Sequence, residues 1–366
     1  MKTERPTPTT TNNLPDEVIV DPLASGHDHF REEDGQKDEG LQRALLENSI
    51  KGGADTVGAM PNTKDGLTTA SVVTEYNDRL EGQLFDPSSL RIIRYVAITE
   101  DTTEAMIDDC VAVGICDGKV LPRYRTTNSH YGVVRYGKIL PVIKHCGKVG
   151  MRVHGHLEHP SLLYSNDDAE FACVPTVRTW LEETEAEIIW EHGTEGRCVP
   201  HWKDMATSRR FFVTITPQHL LLTADDVYGA VGEICKPSYG DPFDVEALNN
   251  LVDQDFPWVM DGPDVAPHPT GTKHPNHGKC SCGTYHAPFL HPVYAHALQR
   301  LFKTPAGIQT YINFTSRNLR KLHNLPLPSR TVRLVRKPQE IPLLYRVGPW
   351  NVQPFWAGKT LDWSIA

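Results

Sequence analysis

Short apolar runs alternate with amphipathic stretches along most of the chain. The runs are three to seven residues long, and their composition and flanking polar positions are typical of buried strands. We place strands at residues 23–26, 56–61, 92–98, 112–115, 151–153, 188–191, 210–215 and 258–260. Helical periodicity lies between them, at residues 41–50, 69–84, 104–109, 133–148, 176–184 and 245–252. About eight strand–helix alternations predict an α/β fold, a TIM-type (β/α)8 barrel with an outer layer of helices.

The two ends of the chain differ from this alternating part. Residues 1–20 are rich in Thr, Pro and Asn, which predicts a flexible N-terminal tail. Beyond residue 300 the chain becomes basic and proline-rich, which predicts C-terminal segments packed back on the barrel. There is no internal repeat and no sign of a second domain. The predicted organisation is therefore a tail, residues 1–20, followed by one barrel domain, residues 21–366.

Composition and charge narrow the range of functions. The chain has 366 residues and a net charge of −9, which argues against a nucleic-acid binder, because such a protein needs a basic surface to neutralise phosphates. No apolar run approaches the ~18 residues that span a bilayer, and the first residues lack a secretory signal. Eight cysteines without a small-domain disulfide pattern favour reduced thiols. We therefore expect a cytoplasmic protein with no membrane partner.

Metal-binding residue types stand at the ends of the predicted strands. They are His27, His29, Lys119, His154, His192 and Asp264. The carboxyl ends of parallel strands meet at one mouth of a barrel, where active sites of this fold lie. Histidine and carboxylate side chains are common ligands of divalent metals. The pattern predicts a metal centre at this mouth.

The pair His27 and His29 is the first part of that centre. Strand alternation points both imidazoles to one face, so that one metal can be held by both. Arg31 continues the same face and could hold an anion. An isolated His-x-His pair also fits two polar residues in a loop, and the candidates further along the chain favour metal binding.

Lys119, His154 and His192 are less specific signals. A buried lysine loses its proton more easily and can react with CO2, giving a carbamate that bridges two divalent ions. The alternative is a surface lysine at a strand end. His154 and His192 are each followed by glycine, which lets the backbone turn sharply beside a metal. A lone histidine is more often a core or surface residue, but two at successive strand ends favour a site.

Asp264 is the candidate acid–base group. A carboxylate there could bind one metal, take the proton of a bridging water whose pKa the metals lower, and pass it to a leaving nitrogen. Asp261 competes for this role, and we prefer Asp264 because His268 follows it.

A cluster of ligand-type residues downstream gives a second possible zinc site. It consists of His274, His277, Cys280 and Cys282. Its spacing resembles no standard finger, which favours a glycine-containing loop near the active site.

Several of these motifs together resemble a known family. The chain resembles the class II, single-function bacterial dihydroorotases, which are metal-dependent members of the amidohydrolase superfamily, from about residue 26 to residue 365. The stretches that carry the resemblance are His27-Asp28-His29-Phe30-Arg31, Met60-Pro61-Asn62, Lys119-Val120-Leu121-Pro122, Thr126-Thr127-Asn128-Ser129, Val153-His154-Gly155, Glu191-His192, Thr214-Ile215-Thr216-Pro217-Gln218-His219-Leu220, Asp264-Val265-Ala266-Pro267-His268 and Ala287-Pro288.

The resemblance implies an activity and a site. The activity is the reversible, zinc-dependent cyclisation of N-carbamoyl-L-aspartate to L-dihydroorotate in de novo pyrimidine biosynthesis, by a homodimer. One zinc would be held by His27, His29 and Asp264, the other by His154 and His192, with carboxylated Lys119 between them. Substrate would be bound by Arg31, Asn62 and His268, by the backbone of Ala287, by Lys236, and by Thr126 and Thr127 on a mobile loop.

Three positions depart from the family pattern, and two alternatives stay open. His156 stands where glutamate is common, Val265 replaces serine, and Lys236 replaces leucine. One alternative is another cyclic-amide hydrolase, similar to dihydropyrimidinases and hydantoinases, although a neutral ring would leave the anion-binding residues unpaired. The other is a non-catalytic homologue serving as a structural partner, for which lost ligands would be the signature. A zinc-stabilised nucleic-acid binder using residues 268–282 conflicts with the acidic balance.

Overall fold

A parallel barrel forms the centre of the molecule. The computed structural model describes residues 14–32 and 39–366. The strands of this part are β1 (Glu17–Val20), β2 (Leu23–Asp28), β3 (Ala54–Ala59), β4 (Arg91–Ile98), β5 (Asp117–Val120), β6 (Arg152–Gly155), β7 (Ile188–Trp190), β8 (Phe211–Ile215), β9 (Val259–Asp261), β10 (Val332–Val335), β11 (Gln339–Glu340), β12 (Tyr345–Val347), β13 (Trp350–Val352), β14 (Thr360–Leu361) and β15 (Ser364–Ile365). Strands β2 to β9 form one eight-stranded sheet in chain order, with parallel neighbours throughout.

The residues after β9 close this sheet. The Val265 amide donates to the His27 carbonyl at 3.3 Å, and the His29 amide donates to the Val265 carbonyl at 2.8 Å. These two hydrogen bonds join the last strand region to the first. The predicted (β/α)8 barrel is confirmed.

Helices surround the barrel strands. They are α1 (Glu39–Lys51), α2 (Ala70–Glu81), α3 (Glu104–Ala112), α4 (Leu140–Val149), α5 (Asn166–Ala169), α6 (Val174–Glu183), α7 (Val199–Met205), α8 (Pro217–Leu221), α9 (Ala224–Val227), α10 (Pro242–Asp253), α11 (Thr270–Lys273), α12 (Leu290–Leu298), α13 (Pro305–Ile312) and α14 (Asn318–Leu322). Side chains fix their starts: Thr69 caps α2, and Asp241 with Asp244 forms a capping box on α10. None of the helices in the described part is long and apolar enough to cross a membrane.

The core lies between the strands and these helices. Strands β7 and β9 are buried along their whole length, as expected of parallel strands covered on both faces. Trp180 of α6, Trp190 of β7 and Trp202 of α7 are at most 1% exposed, and the last two rings pack edge to face at 5.7 Å. This packing holds the strand ends in place at the mouth of the barrel.

The C-terminal segment packs back on the barrel, as predicted. Strand β10 pairs with β1 on one side and with β15 on the other. Arg320 pairs with Asp55 at the start of β3, and the Arg330 guanidinium donates to the Ala54 carbonyl. The cationic positions of this segment therefore bind groups at the amino ends of the strands.

Part of the predicted tail is a strand. Residues 1–13 of that tail lie outside the described residues, but Glu17–Val20 forms β1, with Val18 and Val20 buried. The partner of β1 is β10, more than three hundred residues further along the chain. The local composition of residues 17–20 does not indicate this pairing. The boundary between the predicted tail and the barrel domain was therefore placed too late in the chain, at residue 20.

The strand that precedes Lys119 was also misplaced. Residues 112–115 were predicted as the strand, but Ala112 ends α3, Val113 is 54% exposed, and Gly114 turns the chain with φ +81°. The strand is Asp117–Val120 and contains Lys119. A short apolar run at the end of a helix has the same composition as a strand, which explains the error.

Candidate metal centre

Three predicted ligands converge where the first and last strands meet. The Asp264 carboxylate oxygen Oδ1 lies 2.9 Å from Nε2 of His29 and 3.5 Å from Nε2 of His27. All three side chains are buried, and their ligand atoms lie within 4.8 Å of one another. This is the spacing of donors that share one ion.

The backbone holds two candidate ligands in an uncommon conformation. Asp264 has φ +52° and His192 has φ +42°, in the left-handed region that non-glycine residues rarely adopt. The hydrogen bonds of Val265 fix the chain beside Asp264, and the His192 amide donates to the Thr214 hydroxyl at 2.7 Å. Such backbone strain is concentrated at functional sites, where it aims a side chain.

Burial leaves the two imidazoles of this group uncharged. It lowers the pKa of His27, and together with the Arg31 charge it lowers the pKa of His29 to about 3. Burial alone would raise the pKa of Asp264, but the hydrogen bond with His29 and the neighbouring imidazoles hold it well below its usual range. Neutral imidazoles and an ionised carboxylate are the forms that bind a metal.

Glu191 links two of the candidate histidines from below. Its carboxylate lies 3.0 Å from Nδ1 of His27 and 2.6 Å from Nδ1 of His154, and it accepts a hydrogen bond from the Thr214 hydroxyl at 2.8 Å. Burial would raise the pKa of Glu191, but the Lys119 charge and these contacts hold it well below its usual range. Because Nδ1 of His27 is engaged in this way, Nε2 is the nitrogen that faces Asp264.

Lys119 and His192 face the same region without partners of their own. Nζ of Lys119 and Nδ1 of His192 are buried and make no hydrogen bond within the described residues. Burial lowers the pKa of Lys119 to about 8, against the opposing effect of Glu191 and Asp264. The His192 ring lies 5.0 Å from the His27 ring. Unpaired buried polar atoms of this kind indicate a missing ligand or ion.

His154 is held differently from the other candidates. Its Nδ1 contacts Glu191, while its Nε2 lies 3.0 Å from Oδ1 of Asp117. Burial would lower the pKa of His154, but these two carboxylates outweigh it and raise the pKa. His154 thus belongs to a second cluster, with Asp117 and His323, rather than to the three-residue group around Asp264.

The predicted anion-binding residues lie beside this centre. Arg31 is 8% exposed, and its Nε and Nη1 have no hydrogen-bond partner in the described part of the chain. Asn62 shares a small cavity with Arg31 and His29, and its Oδ1 is likewise unpaired. His268 is half-buried, and desolvation together with the Arg31 charge lowers its pKa well below the usual range.

The segment that follows β5 covers this cavity. Asn62 donates to the Thr127 carbonyl at 3.2 Å, and Asn128 donates to the Asn62 carbonyl at 3.2 Å. Thr127 also donates through its hydroxyl to the Cys282 carbonyl at 3.3 Å, whereas Thr126 bonds within its own turn, to Ser129. The cavity that remains is about 20 Å³, room for about one water molecule.

The Ala287 carbonyl lies away from the candidate site, so a backbone contact from Ala287 to substrate stays a prediction. A Cβ on Gly52 would lie 1.8 Å from the Ala287 carbonyl oxygen, so this carbonyl packs against the turn between α1 and β3, at the end of the barrel opposite the mouth. The main-chain group at the mouth is the Cys282 carbonyl, which accepts from Nε2 of His268 at 2.9 Å as well as from Thr127.

Other predicted residues lie at the rim or away from the site. The Lys236 ammonium donates to the Asn166 side chain. Both carboxylate oxygens of Asp261 are buried and without a hydrogen-bond partner in the described residues, and burial raises its pKa well above the usual range. The downstream cluster of His274, His277, Cys280 and Cys282 does not form a metal-binding group within the described residues. His274 instead contacts Gln353.

Three further side chains contact the candidate ligands, and sequence reasoning gave them no role. They are Asp117, His156 and Glu191. The ring of His156 packs 4.6 Å from the His192 ring, and its Nε2 lies 2.6 Å from the Glu158 carboxylate. Alternation along β5 could have revealed Asp117, because it lies two residues before Lys119 on the same face. Glu191 gave no such signal, because it is the direct neighbour of His192.

Comparison with known proteins identifies relatives of this arrangement. No family model matches the chain. The dihydroorotase of Salmonella paratyphi A is 29% identical over 326 residues, which cover 84% of this chain and 87% of that protein. The dihydroorotase of Saccharomyces cerevisiae, solved in complex with 5-fluoroorotic acid, superposes with a TM-score of 0.85 at 25% identity, over 96% of this chain and 98% of that one. The L-hydantoinase of Arthrobacter aurescens gives a TM-score of 0.78 at 14% identity, over 95% and 83% of the two chains, and shares the fold alone.

Proposed function

We propose that this chain, a homologue of the dihydroorotases with the amidohydrolase barrel, is a zinc-dependent dihydroorotase. The reaction is the reversible cyclisation of N-carbamoyl-L-aspartate to L-dihydroorotate, in which a cyclic amide bond is made or hydrolysed. Sequence similarity to dihydroorotases over 84% of the chain supports this substrate. The observation that carries the proposal is the position of buried Arg31, with two nitrogens unpaired within the described residues, beside the His27, His29 and Asp264 group.

The residues present fit a metal centre. His27, His29 and Asp264 would hold one zinc, and Lys119, as a carbamate, with His192 and His154 would hold a second. The orphaned buried atoms of Lys119 and His192 support this assignment, because each lacks the partner that burial demands. When bound, two such ions lower the pKa of a water molecule towards neutrality and polarise a carbonyl oxygen.

Asp264 has the position and charge of the proton carrier. Its carboxylate is buried at the mouth. It is ionised at neutral pH because burial, which would raise its pKa, is outweighed by the hydrogen bond with His29 together with the neighbouring imidazoles. It can accept a proton from the attacking water and return it to the ring nitrogen as the amide bond breaks. In the direction of cyclisation the same carboxylate takes the proton from the carbamoyl nitrogen.

The anion pocket separates dihydroorotate from neutral rings. Arg31 stays charged at neutral pH, since burial lowers its pKa only to about 10. Asn62 lines the same cavity as Arg31. His268 is close enough to Arg31 for the guanidinium charge to lower its pKa, and its Nε2 lies 2.9 Å from the Cys282 carbonyl. A substrate carboxylate gives the Arg31 guanidinium the partner that it lacks within the described residues. A neutral hydantoin or dihydropyrimidine ring would leave it unpaired, which argues against that alternative.

The segment that follows β5 is placed to cover a bound substrate. Its Asn128 lines a cavity of about 20 Å³ together with His29, Arg31 and Asn62. Thr127 and Asn128 hold the segment closed through hydrogen bonds to Cys282 and Asn62. We propose that opening admits substrate and that closure then excludes bulk water from the reacting bond. We also propose a homodimer in the cytoplasm, the latter supported by eight free cysteines.

Ring opening of L-dihydroorotate by the purified protein, with zinc measured on the same sample, tests this function. We expect turnover of dihydroorotate and of carbamoyl-aspartate, with dihydrouracil and hydantoin at least 10²-fold poorer, since a buried charge left unpaired costs about 3 kcal/mol. Equal turnover of dihydrouracil would assign the chain to the hydantoinase-like alternative. Bound zinc with no turnover of any ring would favour a structural role.

A further inference from the structure

A buried ionic cluster lies one layer below the candidate metal centre. Asp117 on β5 pairs with Arg152 on β6, with oxygen–nitrogen distances of 2.7 and 2.9 Å. The same carboxylate lies 3.0 Å from Nε2 of His154 and 3.6 Å from Nδ1 of His323. Its side chain is 4% exposed. The proposed function, which rests on the groups at the mouth, does not use Asp117, Arg152 or His323.

Strand register connects this cluster to the mouth. Asp117 is the register partner of Arg152. Lys119, two residues further along β5, is the register partner of His154. Side chains two apart on a strand share a face, so the Asp117–Arg152 pair lies directly under the Lys119–His154 pair. His154 is the one side chain here that contacts both layers, through Nε2 below and Nδ1 above.

The cluster is not itself suited to bind a metal. Asp117, His154 and His323 bring ligand atoms within 4.8 Å of one another. However, the Arg152 guanidinium already contacts both oxygens of Asp117. A divalent ion there would lie beside a fixed positive charge, which disfavours it strongly at low dielectric constant. Arg152 thus takes the place that a cation would occupy.

We propose that Asp117 is a positioning residue for His154. Arg152 fixes the carboxylate, and the carboxylate holds the Nε2 edge of the His154 ring, so that Nδ1, which contacts Glu191, is the nitrogen that would exchange this contact for the ion. Tyr95 packs edge to face on the same ring at 4.8 Å, which limits rotation further. A carboxylate on the far nitrogen fixes the orientation of a metal-binding histidine and raises its basicity. The inference rests on the proposed function to the extent that His154 is a zinc ligand.

Zinc titration of metal-depleted protein against a competing chelator tests this role. We expect Asp117→Asn to weaken one of two zinc-binding steps by about 10- to 100-fold, with the other step unchanged, because His27, His29 and Asp264 are not touched. The matched control is Asp108→Asn, which changes a surface carboxylate 2.7 Å from Nε2 of His145 and should change neither step. Asp117→Asn could fail to fold because Arg152 then lacks a counter-charge. In that case the double variant Asp117→Asn and Arg152→Gln, which removes both charges, is titrated with zinc instead.

The outcomes separate this inference from the proposed function. Unchanged zinc affinities in a folded Asp117 variant would overturn the inference. Equal weakening of both zinc-binding steps, or a lowered unfolding temperature alone, would also overturn it, because either result indicates a structural role for Asp117. Wild type that binds a single zinc, with an affinity unaffected by Asp117→Asn, would also overturn it. Two zinc ions bound without turnover of dihydroorotate would reject the proposed substrate, while the affinity comparison would still decide the role of Asp117.

Discussion

Replacing Arg31 should change activity and stability in opposite directions. In the free protein this guanidinium is 8% exposed, and two of its nitrogens have no partner within the described residues. Burial lowers its pKa to about 10, so folding makes the charged form less favourable. The sign follows from linkage: a base whose folded pKa is depressed costs stability at every pH below that pKa, which includes neutral pH. Arg31→Met keeps the length of the apolar stem and removes the charge.

The magnitudes come from the same two observations. At 1.36 kcal/mol for each tenfold change in proton affinity, the depressed pKa corresponds to a cost of about 3 kcal/mol, and Arg31→Met should recover about 1–3 kcal/mol of it. In the complex the charge is paired with the substrate carboxylate. Removing one partner of such a pair costs about 2–5 kcal/mol, so kcat/KM for dihydroorotate should fall about 10²- to 10³-fold.

Denaturant unfolding and initial-rate kinetics on the same preparations measure both effects. The matched control is Arg178→Met, which removes a surface arginine paired with Asp204 at 2.6 Å. An exposed pair of this kind contributes about 0–1 kcal/mol, and the control should retain full activity. An Arg31→Met protein that is less stable than wild type, or that keeps its kcat/KM for dihydroorotate, would refute the assignment of Arg31 to a substrate anion.

Three other changes probe separate parts of the structure. Lys119→Ala should lower kcat/KM roughly 10³-fold or more and reduce bound zinc, measured by metal analysis of the folded variant, because a bridging ligand is lost. Glu100→Gln removes a carboxylate whose pKa is lowered to about 2 by the hydrogen bond from Lys138. The contribution of this carboxylate to stability is present above the ordinary carboxylate pKa and is lost as the pH falls towards 2. The melting temperatures of wild type and variant should therefore converge near that pH. Trp202→Ala should cost about 3–5 kcal/mol of unfolding free energy, whereas Leu163→Ala, at a side chain 96% exposed, should be nearly neutral in the same denaturation experiment.

The barrel could be predicted because its pattern is local. Each parallel strand is buried on both faces, so it appears in the sequence as a short apolar run between amphipathic helices. The strand over residues 112–115 was wrong because the end of α3 has the same composition. Strand β1 was missed because its stability depends on β10, and no local feature of Glu17–Val20 indicates that partner.

The site was partly predictable for a related reason. Strand ends converge in a parallel barrel, so His27, His29 and Asp264 could be grouped although more than two hundred residues separate them. The orientation of side chains was not predictable in this way. His154 contacts two carboxylates, Asp117 on β5 and Glu191 after β7, and His268 contacts the Cys282 carbonyl. These details depend on three-dimensional contacts that periodicity does not encode.

From the charge balance of the mouth we expect zinc binding to depend on carbon dioxide. Glu191 and Asp264 are ionised, whereas burial keeps His27 and His29 neutral, so Lys119 is the one nearby cation among these groups. Carboxylation of Lys119 would give three buried anions, which two divalent ions outweigh by a single positive charge. That remaining charge would stabilise negative charge developing on the reacting atoms.

Zinc affinity should therefore depend on dissolved CO2. Metal-depleted protein kept free of CO2 should bind zinc more weakly, because Lys119 then contributes an amine or an ammonium instead of an anionic ligand. Added bicarbonate should restore the affinity in wild type and have no effect in Lys119→Ala. Zinc titrations of wild type that are identical with and without bicarbonate would show that Lys119 is not carboxylated. The second ion would then be held by the neutral amine and histidines alone, and a centre of lower affinity would be expected.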